Sequence, residues 1–261
     1  MSEVKTNKLT AATGTAITLG DSGDTFTVPS GATLTVASGG TITNSGTATG
    51  FAGGLASVQT FTSSGTWTRP TGITKVIMEI QAGGGGSGCG DWPYNRGGAG
   101  GGGGYVKKFL DVSSISSSTI TVGSGGAGGV TGGDGGTSSW ADGTNTLTGG
   151  GGEGGGPSSA NSANGEAGSG GSATGGDINI GGGDGDWWSA NPSANQSGMI
   201  MSVGGSSFLG IGGVGNTGGQ YTPNGVEGKG YGAGATGSKY PGYDNPGVDG
   251  TDGIILVWEY A

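Results

Sequence analysis

GGAGGGGG occupies residues 97–104, and YVKKFL follows at once over residues 105–110. The octet has one side-chain carbon in eight residues; the hexamer after it reads as a β-strand. Further glycine blocks lie outward on both sides: GGGG at 83–86, GSGGAGG at 123–129, GGGGEGGG at 149–156, GSGG at 168–171 and GGG at 181–183. A looser series runs on to residue 237. In all, 71 of 261 residues are glycine and 8 are proline. Such a composition usually marks low complexity. Collagen is excluded, because glycine does not recur at every third position and proline is scarce. An ordered glycine forfeits about 0.5–1 kcal/mol relative to alanine in regular structure. Only close backbone-to-backbone packing, of a kind a Cβ would forbid, offsets that handicap.

Strands flank the glycine field. VIMEI (residues 76–80) puts Val76, Met78 and Ile80 on one face. STITV (residues 118–122) is a further strand, and IILVWEY (254–260), nearly continuous in apolar residues, reads as a central one. Phe61 and Trp67 flank a turn at residues 63–65. Helical periodicity is absent. The expected domain, residues 58–261, therefore has a β base made from both ends of its sequence, with the glycine field inserted between them. Two segments within the field end alike, GGDGGTSSW at 132–140 and GGSSF at 204–208. Trp140 and Phe208 are accordingly expected as anchors buried in the base.

The N-terminal quarter differs. Residues 1–20 are polar and read as an attachment segment. Over residues 21–57, Phe26 and Val28, then Leu34 and Val36, then Ile42 alternate with polar positions, with SG or GG steps between. These are short strands with few apolar side chains each. One copy buries little; three copies around a shared axis bury more, which favours a homotrimeric β stalk. The alternative is a small β-layer folded against the next domain.

Composition also bounds chemistry. The net charge is −9, with 9 Lys and Arg against 18 Asp and Glu, and no basic run, so a nucleic-acid partner is not expected. Histidine is absent, which removes His-based triads and the commonest metal ligand. The single Cys89 has no intrachain disulfide partner. GGGGSGCGD at 83–91 lacks the Lys-Ser/Thr of a phosphate loop. Asp134, Asp184 and Asp186 lie in GGDGG and GGGDGD. They read as turn residues accepting from their own backbone, with a structural Ca²⁺ as the lesser reading. No cofactor, metal or catalytic residue is assigned.

QTFTSSGTWTRPTGITKVIMEIQAGGGGSG, then GGGGGYVKKFLDVSSISSSTITVGSGGAGG, then DGIILVWEY resembles the glycine-rich domain of bacteriophage tail-fibre and adhesin proteins, similar in kind to the distal adhesins of T-even-like phages. The likeness covers about residues 58–261. It implies an all-β fold with left-handed polyglycine II helices sandwiched together, and loops at a distal tip that set host specificity. Such helices rise about 3.1 Å per residue and carry no internal hydrogen bonds, so residues 97–104 would span about 25 Å and bond only sideways. T-even adhesins sit as monomers on a separate fibre. Here a segment similar to trimeric phage fibres lies on the same chain, which argues for a homotrimer.

Five inserts interrupt the glycines: DWPYNR (91–96), PSSANSANG (157–165), DGDWWSANPSANQ (184–196), QYTPN (220–224) and KYPGYDN (239–245). Aromatic rings among Asn, Asp and Ser are the chemistry of adaptable recognition surfaces and suit stacking on sugars. The expected receptor contacts are Trp92, Tyr94, Asn95, Arg96, Trp187, Trp188, Asn191, Tyr221, Asn224, Tyr240, Tyr243 and Asp244. The expected function is that of a non-enzymatic virion tail fibre. A tail or baseplate component would hold its N-terminus, and a bacterial outer-membrane protein or surface glycan would meet its tip. The alternatives are a fibre-borne polysaccharide depolymerase, working through a carboxylate pair, and a capsid or neck fibre of the same fold.

Overall fold

The computed structural model describes residues 25, 27–40, 54–90, 97–158, 165–186, 202–215, 225–238 and 247–261. The chain divides into two compact units, Met1–Phe51 and Ala52–Ala261. In the first, residues 27–40 contain turns but no strand, and Val28, Leu34 and Val36 are 38%, 64% and 43% exposed. The strands expected at Val28 and at Leu34–Val36 are not formed: among the described residues this segment makes only turn bonds, Ala32 N–H to Pro29 O (3.0 Å) and Gly40 N–H to Ala37 O (2.8 Å). Phe26 and Ile42 lie outside the described residues.

The second unit is all-β, with no helix among its described residues. Its strands are β1 (Leu55–Phe61), β2 (Gly65–Thr68), β3 (Lys75–Gln81), β4 (Tyr105–Asp111), β5 (Ser117–Thr121), β6 (Ser138–Ala141), β7 (Thr146–Gly149), β8 (Ala173–Thr174), β9 (Ile178–Ile180), β10 (Gly210–Ile211), β11 (Lys229–Gly230) and β12 (Ile254–Tyr260). One antiparallel sheet has the order β1-β12-β3-β4-β9, and a second has β2-β5-β6-β7-β8; β10 and β11 pair alone. The closing strand β12 thus lies inside its sheet, as its apolar run demands.

The two five-stranded sheets share one hydrophobic core. Val76, Met78, Ile80, Val106, Leu110, Ile255 and Val257 come from the first sheet, and Trp67, Ile120, Trp140 and Leu147 from the second. The rings of Trp67 and Trp140 meet at 5.0 Å between centroids, tilted by 48°. Trp140 is fully buried, as its sequence position suggested. Phe208 is not: it is 56% exposed and stacks on Tyr105 at 4.1 Å. The two Ser-Ser-aromatic endings diverge because β6 delivers Trp140 into the core, whereas Phe208 lies in the link between two glycine runs. The β6–β7 turn is tied by Asp142, whose carboxylate accepts from the N–H groups of Thr144 (2.8 Å) and Asn145 (2.6 Å) and from Trp140 Nε1 (3.1 Å). Partial burial pushes that carboxyl up, but the donors from Asn145, Thr144 and Trp140 outweigh it, and the net shift is downward.

The glycine runs leave the base and return to it as extended segments that bond only sideways. From residues 82–90, the N–H groups of Ala82, Gly85 and Gly88 donate to Gly104, Gly101 and Gly98 (3.0, 2.8 and 3.0 Å). Those of Gly83, Gly86 and Cys89 donate to Gly136, Gly133 and Val130 (3.0, 2.9 and 3.2 Å), and those of Gly84 and Ser87 to Thr251 and Val248 (both 2.9 Å). The partner therefore changes at each residue and repeats every third.

Residues 97–104 behave alike. They donate to segments 231–238, 149–156 and 181–186, and accept from 82–90, 165–172 and 202–206. Each of these two central runs is bonded on all sides by backbone. Wherever a Cβ is built on a glycine of residues 97–104, a backbone carbonyl oxygen lies 1.7–2.3 Å away. No side chain fits there without displacing a neighbour.

The outer runs show the same period in their burial. Gly165, Gly168 and Gly171 are buried, while Glu166, Ser169 and Ser172 are exposed. Thr131, Asp134 and Thr137 face outward in the same rhythm, as do Asp249 and Asp252. An outer run lacks a neighbour on one side, and carboxylates replace it. Asp252 accepts from Gly125 N–H (2.7 Å), Asp249 from Gly128 (2.6 Å), Asp134 from Gly154 (2.8 Å) and Asp184 from Gly170 (2.8 Å). Asp134 and Asp184 were expected to accept from their own turns; they bind the adjacent run instead.

Candidate functional site

Direction along the runs defines two ends. The β end is where β3, β4 and β12 join residues 82, 104 and 253. The opposite end is where each insert begins and returns. The described residues on either side of the inserts are bonded to one another there. Gly97 N–H donates to Ser238 O (3.1 Å), beside a parallel bridge between Cys89 and Ser238. Gly98 donates to Gly156 O (2.8 Å) and Gly156 to Glu166 O (2.7 Å), joining the stems of the first and second inserts. Asp186 pairs with Val203, and Val203 with Val214, so the third and fourth stems are contiguous. Gly237 N–H reaches Ser202 Oγ (3.1 Å), and Val226 N–H reaches Thr236 Oγ1 (2.7 Å), which link the fifth stem to the third and fourth. Gly247 N–H donates to Gly129 O (3.1 Å), adding the turn that carries Val130, which is 69% exposed.

The stems of all five inserts, four of them aromatic-bearing, thus gather at one end of the glycine field. Local sequence explains why the runs stop here. Valine replaces glycine at Val130, Val203, Val214, Val226 and Val248. A β-branched side chain has no place in the crowded interior, but it fits where the field ends. These valines were not singled out from the sequence, although a lone valine beside several of the glycine runs was the available signal. Val214 is 46% and Val226 36% exposed, so they form part of the described rim.

The expected contact residues Trp92, Tyr94, Asn95, Arg96, Trp187, Trp188, Asn191, Tyr221, Asn224, Tyr240, Tyr243 and Asp244 lie outside the described residues. So do residues 1–20, the expected attachment segment.

At the β end the side chains serve the fold. Gln81, fully buried, donates through Nε2 to Gly103 O (2.8 Å) and Gly104 O (3.2 Å), binding the sheet to the first carbonyls of the glycine field. Lys107 pairs with Glu79 at 2.9 Å. Burial, then the charge of Glu79 and a hydrogen bond to it, push the Tyr105 hydroxyl well up.

Comparison with curated proteins gives no match. A family model described as a glycine-rich domain matches residues 58–259, a span that takes in both sheets apart from the start of β1 and the last residue of β12, together with the glycine runs from residue 83 onward and every insert. The chain therefore belongs to the glycine-rich domain family.

Proposed function

We propose that the protein is a bacteriophage tail fibre whose glycine field is a polyglycine II lattice presenting aromatic loops to a bacterial surface. The observation that carries this reading is the gathering of the five insert stems at one end, while β1, the entry strand, begins at the other. A backbone lattice suits that task, because its rigidity depends on no side chain and its loops are free to vary in sequence. The threefold alternation of hydrogen-bond partners supports the lattice, since polyglycine II has three residues per turn and bonds only laterally. Lateral Cα–H···O contacts add modestly to it. Trp92, Trp187 and Trp188 are the residues to contact the receptor, an outer-membrane protein or a glycan.

The exposed Val28, Leu34 and Val36 of residues 27–40 support a homotrimeric stalk, where they would pack around the shared axis. Three weak tips on one fibre raise effective affinity without new contacts. The test is the double variant Trp187→Ala and Trp188→Ala. Adsorption to host cells is lost and the melting temperature stays within about 2 °C, as for surface changes. A large loss of stability instead would make the pair core and refute their role. Steady release of reducing ends from host polysaccharide would replace the binding reading with a depolymerase.

A further inference from the structure

Attachment loads a fibre, and this fold has a strand arrangement suited to load. β1 runs antiparallel to β12, with Leu55 opposite Tyr260 and Phe61 opposite Ile255. β12 leaves the glycine field at Ile254, so Leu55 lies at the end of the base farthest from the insert stems. A pull between the N-terminal side and the insert end draws β1 downward from Leu55 and β12 upward from Ile254. The strands are then sheared along their length. Ladder hydrogen bonds in an antiparallel pair lie perpendicular to the strands, so the whole register must break together.

A second element joins the pair. Glu259 is fully buried. Its carboxylate accepts from Ser57 Oγ on β1, from Gln59 Nε2 on β1 (2.7 Å) and from Trp67 Nε1 on β2 (2.7 Å). One side chain of β12 therefore holds strands of both sheets. All three of these bonds must part before β12 can leave β1 and β2. Lys107 and Lys108 make their ion pairs elsewhere, with Glu79 and Asp177.

We propose that β1, β12 and the Glu259 carboxylate form a mechanical clamp that carries tension from the N-terminal side of the chain to the insert end. The proposal rests on the attachment reading for its purpose, but its test needs no receptor. Single-molecule pulling uses the full chain with Cys89→Ser and one pair of handles at a time. Gly54→Cys gives the N-terminal handle, since a Cβ there meets nothing within 4 Å. Val248→Cys, on the run that leads directly into β12, gives the distal handle and Ala261→Cys the control. Pulling 54 against 248 shears β1 from β12; pulling 54 against 261 unzips the same pair from one end.

The expected result is a first rupture several-fold stronger in the shearing geometry at equal loading rate. Glu259→Ala lowers that shearing force, because Ser57, Gln59 and Trp67 lose their shared acceptor. Ser57→Ala, a milder change on the edge strand, lowers it less and serves if Glu259→Ala does not fold. Equal forces in the two geometries overturn the proposal, as does a shearing force unchanged by removal of these hydrogen bonds. Loss of cell adsorption in an assay without flow bears on the attachment reading alone.

Discussion

Gly101→Ala inserts one methyl group into the centre of the glycine field. Its Cβ would stand 2.0 Å from Ser169 O and 2.5 Å from Ser169 C. Ordinary contact begins at 3.4 Å, so residues 165–172 must withdraw by more than about 1 Å. That segment is held by Gly168 N–H to Ala99 O and Gly171 N–H to Gly102 O, both at 2.8 Å. Neither bond survives an added ångström. Two lost bonds forfeit about 1 kcal/mol each, and the buried groups left unmatched add about 1–3 kcal/mol. Alanine returns about 0.4–1 kcal/mol by narrowing the unfolded ensemble. The net loss is about 2–5 kcal/mol, which for a domain of this size lowers Tm by about 4–20 °C.

Gly181→Ala is the matched control. Its Cβ meets only Gly171 O, at 3.5 Å, so its effect stays within about 0.5–1 kcal/mol of zero. The assay is urea unfolding followed by tryptophan fluorescence, which reports on Trp67 and Trp140 in the core. Equal midpoints for the two variants would refute the argument that carbonyl contacts, rather than glycine content, determine tolerance.

Two further expectations concern carboxylates. The pair Asp249→Ala and Asp252→Ala removes the acceptors of Gly128 and Gly125 N–H. Water reaches those exposed sites, so the loss is about 0.5–1 kcal/mol per site by urea unfolding; the same loss from Glu166→Ala, whose carboxylate has no such bond, would contradict the assignment. Asp142 has a lowered folded pKa, so its contribution is full above the ordinary carboxylate value of about 4 and fades as pH falls through the lower folded value. Asp142→Ala should cost about 1 kcal/mol at pH 7 and less near pH 2; a difference independent of pH would assign the effect to packing.

The base was legible in sequence because its signals are side chains. Val76, Met78 and Ile80 alternate as a half-buried strand must, and 254–260 is apolar enough only for an interior one. The glycine field was legible as backbone packing, since no other arrangement offsets so many glycines. Its edges were harder to read. Asp249 and Asp252 stand three apart, and so do Glu166, Ser169 and Ser172, yet this period has meaning only once three lateral neighbours are known. Phe208 was misread because Ser-Ser-aromatic states nothing about which face the ring meets. The alternation near Leu34 and Val36 specifies strands only where another chain or segment supplies the ladder. The insert stems gather through pairings such as Asp186 with Val203 and Gly97 with Ser238, which join residues far apart in sequence and leave no local mark.

The central claim is that residues 97–104, almost all glycine, are held by lateral backbone bonds as firmly as the strands are. Amide hydrogen exchange resolved by residue tests it directly. Gly98, Gly100, Gly101, Gly102, Gly103 and Gly104 each donate to a carbonyl at 2.7–2.9 Å and are buried. The account predicts that they exchange as slowly as Val76–Ile80 in β3, through opening of the whole domain. Exchange at the rate of an unstructured glycine chain, with β3 still protected, would contradict it.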